Sequence, residues 1–83
     1  MSLEYYKKQM VDLRAKLQKE KDEKKKDNER YAALVKGASS PSSKAYYRKS
    51  KIDHAASHDR QIESIKRQIE TCKDNIARER KRK

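Results

Sequence analysis

The chain has 83 residues, of which 45% are charged and 33% hydrophobic, and it contains neither Trp nor Phe. So short and polar a chain forms one small domain at most and excludes a large central core. Its formal net charge of +11 favours negatively charged partners, and its single Cys excludes an internal disulfide and a Cys-rich metal site.

A first helix is predicted over residues 1–36, where Lys, Glu, Gln, Ala and Leu, all good helix formers, dominate. Its apolar residues follow the alternating three- and four-residue spacing of a coiled coil, at Leu3, Tyr6, Met10, Leu13, Leu17, Tyr31 and Leu34. Glu20, Lys24 and Asp27 occupy the same stripe between Leu17 and Tyr31. The sequence therefore predicts an amphipathic helix with a polar gap in its apolar face.

A turn is predicted at residues 37–43, which hold the only Gly and the only Pro of the chain. Gly37 suits the left-handed residue that commonly ends a helix. Pro41 suits the first turn of the next helix, with Ser40 as its N-cap. Ser42 or Ser43 could cap the helix instead, and the sequence does not separate these alternatives.

A second helix is predicted over residues 44–83. Its apolar stripe is carried by Tyr47, Ile52, Ile62, Ile65, Ile69, Cys72 and Ile76. Ala55 and His58 extend the stripe backward, whereas Tyr47 and Ile52 are out of step with it, so we expect the stripe to drift there. No helix stop signal occurs near the end of the sequence, and we interpret the chain as a fragment of a longer protein.

If the chain reverses in the Ser-rich turn, apolar residues of one helix meet apolar residues of the other. The expected contacts are Leu3 with Ile76, Tyr6 with Cys72, Met10 and Leu13 with Ile65 and Ile69, Leu17 with Ile62, and Tyr31 and Leu34 with Tyr46 and Tyr47. The polar gap is expected opposite Asp53, Ala55, Ala56 and Arg60. We therefore predict an all-α antiparallel two-helix hairpin, a coiled coil whose stripe residues form a self-association seam. One seam hardly offsets the entropy of ordering two helices, so we expect hairpins to associate into a helical bundle.

No catalytic constellation is visible, and we expect neither enzymatic activity nor a cofactor. His54 and His58 have a metal-compatible spacing, but the residues between them lack the Glu of a His-Glu-x-x-His motif. We interpret both as ordinary surface or seam histidines without a metal, although His58 in the seam could make association pH-sensitive. Cys72 on the apolar stripe is interpreted as a small buried hydrophobe.

The charge pattern favours a protein partner over nucleic acid. Residues 78–83 form the strongest basic block, which would support nucleic-acid binding. Elsewhere the charges are mixed in sign, as on the solvated face of a long helix, and no basic-aromatic platform for stacking bases is present. We expect a second copy or another helical protein as partner. No apolar run is long enough to span a membrane, and we expect a reducing, cytoplasmic location.

The sequence resembles the N-terminal helical region of bacterial TIR-domain proteins. The resemblance rests on Ser2-Leu3-Glu4-Tyr5-Tyr6, on the serines of residues 39–43, and on the Lys/Arg-rich second helix with its isoleucine heptads. It implies that a TIR domain outside these 83 residues cleaves NAD or signals when several copies are brought together. These helices would then supply self-association or sense a partner, and no catalytic residue of the family maps onto them.

A second resemblance is to the small WXG-type helical hairpins of type VII secretion. Length and hairpin form agree with that family. No Trp-x-Gly lies at the turn, however, and no Tyr-x-x-x-Asp/Glu export signal follows the second helix. This resemblance implies a helical partner of a secreted substrate.

Overall fold

A computed structural model describes residues 3–81 as two α-helices, α1 (Leu3–Gly37) and α2 (Pro41–Lys81). Within this range there is no β-strand. The helices pack against each other along their length as an antiparallel hairpin that measures 65 × 14 × 12 Å. The predicted all-α two-helix hairpin is therefore confirmed.

The helices are long because no residue interrupts them, since the only Gly is the last residue of α1 and the only Pro is the first residue of α2. Glu4 lies in the first turn of α1 and Lys36 in its last turn, where their charges complement the helix dipole. Neither helix, over the described residues, has an apolar stretch that could cross a membrane.

The connection is shorter than the predicted turn, because α2 begins at Pro41 rather than at residue 44. The Ser40 hydroxyl oxygen accepts a hydrogen bond from the backbone N–H of Ser43 at 3.2 Å, and the Ser40 carbonyl accepts one from Lys44 N–H at 3.1 Å. These bonds make Ser40 the N-cap, with Pro41 at the first helical position, where its missing N–H costs nothing. Of the three candidate caps, Ser40 is confirmed.

Gly37 is an ordinary helical residue, so its predicted left-handed conformation is wrong: no glycine of the described chain has a positive φ. The last turn of α1 closes instead through a hydrogen bond from Ala38 N–H to the Val35 carbonyl at 3.4 Å. This bond spans three residues, a tightening that helix ends commonly use to satisfy their last carbonyls. The chain therefore turns without a left-handed residue.

The hydrophobic core lies in the half of the hairpin farther from the turn. Its buried side chains are those of Met10, Leu13, Ile62, Ile65, Ile69 and Cys72. The partly buried side chains of Tyr6, Leu17 and Ile76 pack against this core. These contacts match the register predicted for this half, in which apolar residues of α1 face apolar residues of α2.

Nearer the turn, the structure departs from the predicted stripe. Tyr31 and Tyr47 are partly buried, as is Leu3 at the opposite end of the hairpin. Leu34, however, is 38% exposed and Ile52 is 67% exposed. The partly buried positions of α2 that flank Ile52 are Ser50 and Lys51 before it and Ala55 three residues after it. The drift expected from the sequence therefore leaves Ile52 outside the contact between the helices.

Candidate functional site: a histidine-centred polar layer

A layer of polar side chains joins the two helices on the turn side of the hydrophobic core. From α1 it contains Glu20, Lys24, Asp27 and Tyr31, which follow the apolar stripe at spacings of three and four residues. From α2 it contains His54, His58 and Asp59. Because the stripe continues in register, the polar side chains of α1 point toward the opposite helix and are partly buried.

His58 is the centre of this layer, and both of its ring nitrogens contact carboxylates of α1. Nδ1 lies 2.6 Å from Glu20 Oε1, and Nε2 lies 2.6 Å from Asp27 Oδ2. The side chains of His58, Glu20 and Asp27 are 15%, 20% and 24% exposed, respectively. Such short, partly shielded contacts are typical of charge-assisted hydrogen bonds.

These contacts shift the acid–base equilibria of the layer. Hydrogen bonds to Asp27 and then to Glu20 raise the pKa of His58 above its usual 6.5, while burial opposes the shift. The hydrogen bond from His58 lowers the pKa of Asp27 below its usual 3.8, with a smaller contribution from the charge of Arg30. An imidazole that donates from both nitrogens carries a proton on each, so the arrangement stabilises the imidazolium.

Three further contacts lie near His58. Lys24 Nζ lies 2.6 Å from Asp59 Oδ1, a salt bridge between the helices that is exposed on the Asp59 side. The Tyr31 hydroxyl lies 3.0 Å from His54 Nε2, and the two rings are 4.9 Å apart. His54 Nδ1 is 3.7 Å from Asp27 Oδ2. Contacts centred on His58 thus connect Glu20, Asp27, His54 and Tyr31 across both helices, and the Lys24–Asp59 salt bridge lies beside them.

Sequence reasoning located the α1 half of this layer and misplaced its partners. Glu20, Lys24 and Asp27 do face α2, but they meet His58 and Asp59 rather than Ala55, Ala56, Asp53 and Arg60. Tyr31 contacts His54, a partner that the sequence did not suggest for it. The sequence held one usable signal for this layer. His58 lies on the stripe of α2, and two carboxylates lie on the facing stripe of α1.

Cys72 lies in the core and not in the polar layer. Its side chain is almost completely buried, and its thiol donates a hydrogen bond to the Tyr6 carbonyl at 3.1 Å. This contact joins the two residues that the predicted register paired. Burial in apolar surroundings makes a thiol inert, so Cys72 contributes packing and not reactivity.

The layer can bind protons, and it offers a set of metal ligands. Glu20, Glu23 and His58 each present one ligand atom, and these atoms lie within 4.8 Å of one another. Among the described residues we find no paired nucleophile and base, and the free thiol is buried. The arrangement therefore supports binding and helix pairing.

Comparison of the chain with protein-family models, curated proteins and solved structures finds no match. The class of the molecule is accordingly defined by its own structure. It is a two-helix hairpin with an apolar core in one half and a histidine-centred polar layer toward the turn.

Proposed function

We propose that the chain is a non-catalytic protein–protein interaction module whose hairpins self-associate into a coiled-coil bundle. The observation that carries this proposal is the surface that a single hairpin leaves exposed. The chain exposes 6534 Å², whereas a compact monomer of 9.8 kDa exposes about 5,200 Å². The excess is larger than the ~800 Å² that each partner buries in a standard protein interface.

The outer faces of the hairpin supply apolar contacts for a second copy. The predicted seam is largely used inside the hairpin, because its central residues form the core between α1 and α2. Val11, Tyr46 and Ile52 remain outside, each 67% exposed. We propose that such outward side chains pack between hairpins, as the additional helix pairs of a bundle do.

Net charge opposes association of identical chains, since each copy carries +11. Repulsion between exposed charges is screened by salt, with a Debye length of about 10 Å at 0.1 M ionic strength. Association should therefore strengthen as salt is raised. Binding to an acidic protein would instead weaken as salt is raised.

Sedimentation equilibrium at micromolar concentration and several salt concentrations tests the proposal. We expect a mass of at least twice the 9.8 kDa of one chain, increasing with salt. The double variant Val11→Lys/Ile52→Lys should shift the equilibrium toward monomer while helicity is kept. Gln9→Lys/Gln61→Lys adds the same charge at exposed polar positions and is the matched control. A folded monomer under all conditions would refute self-association.

The resemblance to bacterial TIR-domain proteins suggests a context for such a module. In that context, bundle formation would bring several TIR domains together, which that family requires for NAD cleavage or signalling. The corresponding observation is genetic: a TIR-coding sequence in the same reading frame would support it, and a continuous gene without one would refute it.

A further inference from the structure

We propose that Glu20, Glu23 and His58 form a binding site for a divalent transition metal ion of the zinc class, bridging α1 and α2. Glu20 and Glu23 lie one turn apart on α1, and His58 faces them from α2. Their three ligand atoms lie within 4.8 Å of one another. Zinc bonds of ~2.0–2.2 Å in a tetrahedron place ligand atoms about 3.4 Å apart, so side-chain shifts of roughly an ångström complete the site.

Asp27 orients the histidine for this role. It accepts a hydrogen bond at Oδ2 from His58 Nε2, with the two atoms 2.6 Å apart. With Nε2 engaged by Asp27, Nδ1 is the ring nitrogen that faces Glu20, 2.6 Å from its Oε1. A carboxylate behind a ligating histidine is the usual arrangement at protein metal sites, where it fixes the tautomer and the ring orientation.

The charges of the cluster also suit a dication. The two carboxylates together balance a charge of two, and Lys24, the nearby cation of the layer, is bound by Asp59 at 2.6 Å. Glu23 makes no hydrogen bond or ion pair with any other residue that the structure describes. A ligand set of one imidazole and two carboxylates favours zinc and its neighbours over calcium and magnesium, which prefer oxygen alone.

Solvent has access to the cluster, as a fourth ligand requires. An open groove runs beside Glu20 and Glu23, and its other lining residues are Lys16, Lys19, Gln61, Ile65 and Gln68. A water molecule can complete a tetrahedral site from this side. His54 is not part of the cluster, so this site is distinct from the His54–His58 pair suggested by sequence spacing.

The test is titration of the full, untagged chain with Zn²⁺ after treatment with EDTA, followed by calorimetry and by thermal unfolding. We expect one Zn²⁺ per chain and a higher unfolding midpoint with Zn²⁺ than without it. Glu23→Gln should weaken Zn²⁺ binding at least tenfold and leave the metal-free midpoint unchanged, because Glu23 supports no other contact. Glu29→Gln removes the same charge from an exposed position on α1 and is the matched control.

Three results of the Zn²⁺ titration would overturn the site: no Zn²⁺ binding at 100-fold molar excess, equal loss of affinity in the two glutamate variants, or an unchanged affinity in Glu23→Gln. Substitution by Co²⁺ gives an independent check, because a site without sulfur lacks a thiolate-to-metal charge-transfer band. Such a band would place the ion at Cys72 and refute the proposal. None of these outcomes depends on whether the hairpins self-associate.

Discussion

Gly37 occupies a helical position that any L-residue can adopt. Its φ is negative, and nothing lies within 4 Å of the place that a Cβ would take. A side chain there meets no clash, while glycine gives the unfolded chain extra conformational freedom. The residue therefore reduces stability without supplying a special backbone conformation.

Replacing Gly37 with Ala should raise the free energy of unfolding by about 0.5–1 kcal/mol, through helix propensity and a less flexible unfolded chain. Urea denaturation followed by far-ultraviolet circular dichroism measures this change. Ala33→Gly, the reverse substitution at an exposed position of α1, should lower stability by a similar amount. A destabilised Gly37→Ala variant would mean that the residue is left-handed after all.

His58 makes the stability of the metal-free hairpin depend on pH. Because the pKa of His58 is raised in the fold, its contribution to the free energy of unfolding is fully present below pH 6.5. That contribution is lost as the pH rises through the folded-state pKa. Asp27, with a lowered pKa, contributes above pH 3.8 and loses its contribution as the pH falls through its folded-state pKa. The contacts among His58, Asp27 and Glu20 are therefore strongest in the mildly acidic range between these two transitions.

In EDTA, we expect the free energy of unfolding to fall as the pH rises from about 6.5. Denaturant titrations at half-unit pH intervals should show this slope in the unsubstituted chain and lose it in His58→Gln. His54→Gln keeps both carboxylate contacts of His58 and should retain the slope. If His58→Gln has an unchanged pH profile, the imidazolium is not shared between the helices.

At the scale of the helices, burial separates isoleucines that look equivalent in the sequence. Ile65 is in the core at 9% exposure, whereas Ile52 is 67% exposed. Both are β-branched residues inside α2, so the same substitution at each changes helix propensity equally. A difference between the two variants consequently reports packing alone.

Ile65→Asp should lower the free energy of unfolding by at least about 3 kcal/mol, because it removes a buried side chain and places a carboxylate in the core. For a hairpin with so small a core, this loss should abolish most helicity in circular dichroism. Ile52→Asp should keep the helicity, and Lys25→Glu, also at an exposed position, should stay within about 0.5 kcal/mol. Equal loss from Ile65→Asp and Ile52→Asp would contradict the observed register.

The two helices were predictable because nearly every local preference in the sequence agrees with the fold. The 3–4 stripe located the core residues, and Ser40 before Pro41 located the start of α2. The packing near the turn was less predictable, because the exposure of Ile52 and Leu34 depends on how far the stripe drifts around the helix. The partners of the polar layer depend on three-dimensional register, and a shift of one helical turn exchanges His58 for Ala55.

Across the whole molecule, apolar burial and charge are unevenly distributed. Over residues 3–81, the six buried side chains lie between residues 10 and 13 of α1 or between residues 62 and 72 of α2. The half nearer the turn is joined mainly by the polar layer and by partly buried tyrosines. Because exposed polar contacts contribute less than apolar burial, the two halves should differ in local stability.

Hydrogen exchange should reveal this difference. Backbone amides opposite one another in residues 10–17 and 62–72 should exchange most slowly, because opening there requires exposure of the core. Amides of residues 24–35 and 44–55 should exchange faster, even though the connection between the helices restrains that end.

Mass spectrometry at mildly acidic and at alkaline pH can separate the contribution of the polar layer from that of the core. Deprotonation of His58 should lower the protection of amides near the turn and leave the protection of the core amides unchanged. Uniform protection along both helices would mean that the hairpin opens as one cooperative unit, and would refute a stability gradient set by the placement of its apolar residues.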